Sequence, residues 1–299
     1  MQQNIELNVD NKAVVPGYEI LVLIGTGGIG KVFEARDGAG RKIAVKIMKP
    51  TPFLGENYLD SIIRSVELIK RFSQDPSFRL VKIRETGKIS DFFYIVMDLY
   101  EKGSLEKLVR EKSWIFAARV EFVFMLAKSL AKIHSVGLIH GDLKPANIMI
   151  SENFEPYLND FYQAADNTFL GRTYSGLSGT PLYMSPEQLS GKFLNKSTDI
   201  YSFGIIACEI LTGKTPYPPE AVKGFSDISS SIHSGNLIPP EKLSREIDPE
   251  MNRILLKALQ VDLKQRYANM ELIAEELNRY RGKKMKKNSF PNNIRNLFR

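Results

Sequence analysis

The stretch LIHGDLKPANIM, residues 138–149, decides the reading of this 299-residue chain. It sets a carboxylate (Asp142), a cation (Lys144) and an amide (Asn147) close together, in a segment that Gly141 and Pro145 keep from forming a regular helix. After it, IMI reads as a strand, SENFEP as a turn and YLND as a return strand ending at Asp160. Such a hairpin brings Asn147 and Asp160 to one end. An amide oxygen and a carboxylate there are hard-oxygen donors suited to Mg²⁺ carried with phosphates. Asp142 is then free to accept a hydrogen bond from an attacking hydroxyl. Lys144 can neutralise charge on a phosphoryl group in flight.

Two upstream stretches fit the same chemistry. In GTGGIGKV, residues 25–32, Gly25, Gly27 and Gly30 form a GxGxxG pattern whose backbone can approach phosphate oxygens closely. Alone, this is no more than a glycine-rich turn. A dinucleotide-binding unit needs a helix directly after the glycines. Here VFEAR and then the strand IAVKIM follow, against that fold. In IAVK, residues 43–46, alternation puts Ala44 and Lys46 on one strand face, turned towards the glycines. A lysine on an inward face is costly unless an anion meets it, and a phosphate or a carboxylate would.

The surrounding pattern gives the architecture. Residues 18–49 and 80–99 read as strands, with DGAGR as a turn between Lys31–Arg36 and Lys42–Met48. Residues 57–72 carry Leu59, Ile62, Ile63, Val66 and Ile69 at helical spacing. Beyond EKGS, residues 101–104, the chain turns helical, and TDIYSFGIIACEILT (198–212) is apolar nearly all round, as in a buried helix. The expectation is an α+β protein of two lobes: an N-terminal extension (1–15), a β-rich lobe (16–100), a helical lobe (101–281) and a basic tail (282–299).

Composition sets few limits. Hydrophobic residues make up 43% and charged residues 25%, ordinary for a globular protein. No apolar run is long enough to cross a bilayer, the N-terminus lacks a signal-peptide core, and Cys208 is the single cysteine. These features lead us to expect a cytoplasmic protein. The net charge of +7 belongs to the C-terminus, where eight of the 41 Lys and Arg follow Glu276 with no acid among them. A basic tail suits acidic lipid or an acidic partner. A solvated helix end explains it equally well. Aromatics are sparse there (Phe290, Phe298), so no nucleic-acid contact is expected.

Gly25-x-Gly27-x-x-Gly30-x-Val32, Ala44-Val-Lys46, His140-Gly-Asp142-Leu-Lys144-Pro-Ala-Asn147, Asp160-Phe161 and Ser185-Pro-Glu187 together resemble the signature set of eukaryotic-type (Hanks-type) protein kinases. The likeness covers roughly residues 18–281, and its motifs fall in the family's order. DLKP and GTPLYMSPEQL (179–189) resemble the Ser/Thr rather than the Tyr branch. The resemblance implies ATP as phosphoryl donor, a protein hydroxyl as acceptor and Mg²⁺, with Mn²⁺ as a substitute, held by Asn147 and Asp160. It makes Asp142 the catalytic base, Lys144 its charge partner and Lys46 the grip on the phosphates. Glu67 is the expected partner of Lys46, with Glu56 as rival. It puts adenine between Val32, Ala44 and Met149, in front of Met97, against the backbone of Asp98–Tyr100. Asp199 resembles the acid that holds the catalytic-loop backbone, and Arg266 the partner of Glu187. Homodimerisation is compatible with the family likeness.

The chain departs from the family pattern twice. Gly141 stands where the family has an arginine that meets a phosphorylated loop. Activity is therefore expected to depend little on phosphorylation among Thr168, Thr173, Tyr174, Ser175, Ser178 and Thr180, and to survive joint replacement of Thr173, Ser175 and Ser178 by Ala. The HGD sequence also resembles small-molecule phosphotransferases, which generally lack the docking segment. Tyr162 replaces the glycine of DFG and removes backbone freedom, so a non-catalytic scaffold is the other alternative.

Overall fold

The computed structural model describes residues 15–27, 30–48, 58–111, 114–161, 181–192 and 194–286, without the side chains of 58–59 and 110–111. Residues 1–14, Glu56, Tyr162, the hydroxyls from Thr168 to Thr180 and the tail from Lys287 lie outside the described residues.

Five antiparallel strands form the first sheet: β1 (Tyr18–Gly27), β2 (Gly30–Asp37), β3 (Lys42–Met48), β4 (Ile83–Ile89) and β5 (Phe92–Asp98). Their spatial order is β1-β2-β3-β5-β4, which leaves β1 at an edge and β3 in the centre. The turn at DGAGR closes because the Asp37 carboxylate accepts the N–H of Ala39 and of Arg41, each at 2.9 Å. Alternation along β3 sends Ile43, Val45 and Ile47 into a cluster on the outer face. Ala44 and Met48 enter the main core on the inner face, and Lys46 shares their parity.

Helix α1 (Tyr58–Phe72) packs on that inner face through Ile62, Val66 and Ile69. Ser61 and Ser65 are buried beside them. The chain then passes a left-handed residue, Arg79 (φ 51°), before β4. Here it is stitched to the Ile148–Leu158 hairpin: Leu158 N–H donates to Arg79 C=O and Val81 N–H to Leu158 C=O, both at 2.9 Å. The sheet is thereby fastened to the segment that ends in Asp160.

The second part is built from α2 (Leu105–Glu111), α3 (Phe116–Ser135), the hairpin β6 (Ile148–Ile150) and β7 (Pro156–Leu158), then α4 (Pro186–Leu189), α5 (Lys196–Thr212), α6 (Phe225–Ser234), α7 (Pro240–Leu243), α8 (Pro249–Ala258) and α9 (Met270–Lys286). Helix α3 packs on α5 and α9 through Val123, Leu126, Leu130 and Ile133, all fully buried. Helix α5 starts at a reciprocal capping box of Asn195 and Thr198 and stops at Gly213, φ 75°. Nearly all of α5 is buried, in keeping with its continuous apolar sequence. One apolar cluster joins Ala44 and Met97 of the sheet to Leu143, Ile148 and Phe161 and on to Leu126, Ile206 and Leu277. The α+β architecture expected from the sequence is the one observed.

The C-terminal helix runs beyond the expected boundary at residue 281. Lys283 pairs with Glu250 at 2.8 Å and Lys284 with Asp248 at 2.7 Å, while Met285 packs on the core. This part of the basic segment is committed to the fold. No helix among the described residues is long and apolar enough to cross a membrane.

Candidate active site

The segment His140–Asn147 hangs from one buried carboxylate. Asp199, on the first turn of α5, is fully buried. Its Oδ2 accepts from the backbone N–H of His140 at 2.8 Å and lies 2.8 Å from His134 Nε2. Its Oδ1 accepts from the N–H of Gly141, again at 2.8 Å. Burial alone would raise the Asp199 pKa. The hydrogen bond and charge of His134, the charge of His140 and the Gly141 N–H together hold it below the usual carboxylate range. Gly141 has φ 74°, a left-handed conformation that glycine adopts freely. Its carbonyl accepts from Gln188 Nε2 at 2.8 Å, so the peptide units on both sides of Gly141 are held. The glycine before Asp142 thus has a backbone reason to be there.

His140 is buried and lies against Phe161, with ring centroids 4.3 Å apart. Burial keeps its imidazole pKa below the ordinary value, despite the carboxylates of Asp199, Asp142 and Asp160 nearby. Its Nδ1 accepts from the N–H of Asp142 at 3.3 Å, which suits a neutral ring with a structural task.

The polar residues singled out from the sequence gather here. Lys144 Nζ donates to Asp142 Oδ2 at 2.8 Å. Asn147 Nδ2 donates to the Asp142 carbonyl at 2.8 Å and to Asp142 Oδ2 at 3.0 Å. These two bonds orient the amide and turn Oδ1 away as the remaining acceptor. The hairpin places Asp160 beside Asn147, since Asn159 N–H donates to the Asn147 carbonyl at 2.9 Å. Asp160 holds a left-handed backbone, φ 63°, a conformation uncommon away from glycine. Its Oδ2 accepts from Lys46 Nζ at 2.8 Å, across 114 positions of sequence. Lys46 is 4% exposed, so an anionic partner is what makes its burial tolerable.

The residues expected around a nucleotide line the inner side of the sheet. Val32 pairs with Lys46 across β2 and β3, and Gly25 with Val32 across β1 and β2. Gly27 pairs with Gly30 where β1 turns into β2. A Cβ on Gly30 would come within 2.4 Å of the Ile47 carbonyl, so this glycine is required by backbone approach. Ala44 pairs with Met97 across β3 and β5. Val32, Tyr100 and Met149 pack on the same core cluster. Met149 bridges to Ser104, the last residue of the EKGS connection. The Asp98 N–H is already committed to the Lys82 carbonyl at 3.0 Å, and the Tyr100 carbonyl accepts from Gly103 N–H at 2.9 Å. The Asp98 side chain pairs outward with Arg84 at 2.6 Å.

Glu67 is the expectation that the geometry corrects. It is exposed, and its carboxylate accepts from the Thr86 hydroxyl on β4 instead of meeting Lys46. Ile62, Val66 and Ile69 set the phase of α1, and at about 100° per residue Glu67 falls outside that stripe. The rival Glu56 lies outside the described residues.

Two further contacts support the site. Arg266 forks onto Glu187, with Nη1 2.8 Å from Oε1 and Nη2 3.3 Å from Oε2, and it also donates to the carbonyls of Ser197 and Gln260. Gln188 serves twice, as the N3 member of the Ser185 capping box and as donor to Gly141. The sequence reading missed the second role. The capping-box spacing from Ser185 to Gln188 was its only visible trace.

Two ion pairs, Lys46 with Asp160 and Lys144 with Asp142, and the Asn147 amide are thus gathered on an α+β scaffold. The chain matches the protein kinase domain family over residues 18–277, and it belongs to that family. It is 31% identical over 268 residues to a "probable serine/threonine-protein kinase" of Clostridium acetobutylicum, covering 87% of this chain and 39% of the relative. It is 30% identical over 285 residues to serine/threonine-protein kinase pkn3 of Myxococcus xanthus, covering 89% and 50%. Serine/threonine-protein kinase PknD of Mycobacterium tuberculosis is 28% identical over 245 residues, covering 81% and 36%. The chain therefore spans half or less of the length of these relatives.

Proposed function

We propose that this chain transfers the γ-phosphoryl group of ATP to serine and threonine hydroxyls of proteins. The observation that carries the reading is the convergence of Lys46 with Asp160, and of Lys144 and Asn147 with Asp142, from segments far apart in sequence. The substrate hydroxyl oxygen attacks the γ-phosphorus, its proton passes to Asp142, and the β–γ bridging oxygen leaves with ADP. Lys144, already on Asp142, is placed to offset charge on the phosphoryl group in transit. Lys46 binds the α- and β-phosphates, and Gly25, Gly27 and Gly30 form the turn that covers them. Val32, Ala44 and Met149 hold adenine in front of Met97, leaving the Asp98 carbonyl and the Tyr100 N–H for its polar edge.

Asn147 Oδ1 and the Asp160 carboxylate fit Mg²⁺, or Mn²⁺ in its place, because both are hard oxygen donors. The bound cation would supply charge neutralisation on the phosphates. Ser185–Gln188, anchored to the catalytic loop through Gln188, suits a protein acceptor better than a small molecule. The relatives named as serine/threonine kinases support the same acceptor class.

The test is transfer of label from ATP to a generic acceptor protein, comparing the chain with Asp142→Asn. The expected loss is about 10³-fold, the scale of general-base catalysis. Transfer only to small alcohols or aminoglycosides would overturn the protein-kinase reading. Nucleotide binding without transfer would make the chain a scaffold, with Tyr162 as the first residue to examine.

A further inference from the structure

The peptide unit between Gly141 and Asp142 is held at both ends. Its carbonyl accepts from Gln188 Nε2 at 2.8 Å, and its N–H, that of Asp142, donates to His140 Nδ1 at 3.3 Å. The unit is planar and leads straight into the Cα of Asp142, so its tilt sets where that carboxylate points. The grip on its carbonyl comes from outside the loop. Gln188 lies 47 positions downstream, in the Ser185–Gln188 segment.

Gln188 is itself fixed. It is 5% exposed. Its Oε1 accepts the Ser185 N–H at 2.9 Å, and its own N–H donates to Ser185 Oγ at 3.3 Å. Helix α4 has four residues, too few to hold its own place. Other elements hold it. The Thr198 hydroxyl on α5 donates to Glu187 Oε1 at 3.2 Å, and Arg266 forks onto the same carboxylate. Next to Thr198 is Asp199, which accepts the Gly141 N–H at 2.8 Å. Thr198–Asp199, Glu187–Gln188 and Gly141 thus close a ring of three hydrogen bonds joined through the backbone. The loop cannot shift against α4 and α5 unless one of these bonds opens. An uncharged amide both donates and accepts, as this position requires, without burying a charge.

Given the phosphoryl-transfer reading of the site, on which the inference rests, we propose that Gln188 is a positioning residue for the reaction. Its amide clamps the Gly141–Asp142 peptide and so aims the Asp142 carboxylate at the acceptor hydroxyl. Gln188 acts through Gly141 and not on the reacting atoms. The segment that receives the acceptor and the loop that carries the base are thereby aligned as one piece. Loss of the clamp falls on kcat and not on the KM for ATP, because Lys46 on β3 keeps its own partner, Asp160.

Two variants separate the clamp from the helix cap. Gln188→Glu keeps an oxygen for the Ser185 N–H and removes only the donor to Gly141. Gln188→Met keeps the length and removes both contacts. Steady-state transfer from ATP to casein, at about pH 8 where a glutamate is ionised, gives kcat and both KM values. Hydrogen exchange follows the amides of His140, Gly141 and Asp142, with α3 as the folding control. Both variants are expected to lose about tenfold or more in kcat, with the KM for ATP within about twofold of wild type. The three amides are expected to exchange about tenfold faster while α3 is unchanged. A kcat within about twofold of wild type in Gln188→Glu would overturn the proposal, as would unchanged exchange at all three amides. A loss confined to the KM for casein would also overturn it, making Gln188 part of the docking surface alone. A wild-type chain that transfers no phosphoryl group would defeat the proposed function instead, and the exchange comparison would then decide whether the clamp exists.

Discussion

Asp199→Asn should release the catalytic segment without altering any residue that meets substrate. The change is nearly isosteric, but the amide can accept on only one of its two arms. The Asp199 carboxylate serves His140 N–H and His134 on Oδ2 and Gly141 N–H on Oδ1. At least one buried donor then faces an NH₂ group, and the other contacts lose their charge assistance. With about 1.5–3 kcal/mol for each hydrogen bond to a charged group, the expected destabilisation is about 3 kcal/mol. Urea unfolding monitored by Trp114 fluorescence and far-UV dichroism measures it, as a lower midpoint at unchanged slope. The pH dependence has a definite sign. The folded pKa of Asp199 is depressed, so its contribution is complete above the unfolded value of about 3.9 and is lost as pH falls through the folded value. The gap between wild type and variant should therefore close only in acid. A cost below about 0.5 kcal/mol at pH 7, with kcat unchanged, would refute the claim that this carboxylate sets the loop.

Three other outcomes follow from the same geometry. Arg266→Ala leaves the buried Glu187 carboxylate without its cation and should cost about 3–5 kcal/mol by urea unfolding. Arg266→Lys should not restore it, because a lysine cannot reproduce the fork. Glu67→Gln should leave kcat and the KM for ATP within about twofold, since Glu67 bonds to Thr86 and a surface contact of this kind contributes about 1 kcal/mol or less; a hundredfold loss of kcat/KM would show that α1 turns to bring this acid to Lys46. Gly141→Ala should destabilise by about 1–2 kcal/mol, the cost of a left-handed backbone at a residue with Cβ, and a neutral effect on melting would contradict the backbone reason for this glycine.

Legibility in the sequence followed the range of the forces involved. The hairpin from Ile148 to Leu158 and the two-faced burial of β3 follow from local alternation, and both are as the sequence indicated. The buried helix α5 announced itself by an unbroken apolar composition. Nothing local in the sequence named Asp199 as the partner of His134, 65 positions away. Glu67 was misjudged because an acid near the middle of a helix matched a family expectation. The phase of Ile62, Val66 and Ile69 already pointed it elsewhere. The stitching of Arg79 and Val81 to Leu158 left no trace in the sequence, since it uses backbone groups that every residue carries. That Lys283 and Lys284 are tied into α9 was not legible, because a run of lysines reads as a solvated tail until Glu250 and Asp248 are known to lie beside it.

The central claim is that Lys46 and Asp160 act as a unit around one triphosphate. Single-turnover transfer from saturating ATP and Mg²⁺ should be measured in wild type, Lys46→Met, Asp160→Asn and the double variant. Each single change is predicted to slow transfer by about a hundredfold or more, with the double variant no slower than the worse single one, as for residues that work as a set. Losses that multiply, or single variants within about threefold of wild type, would contradict the account.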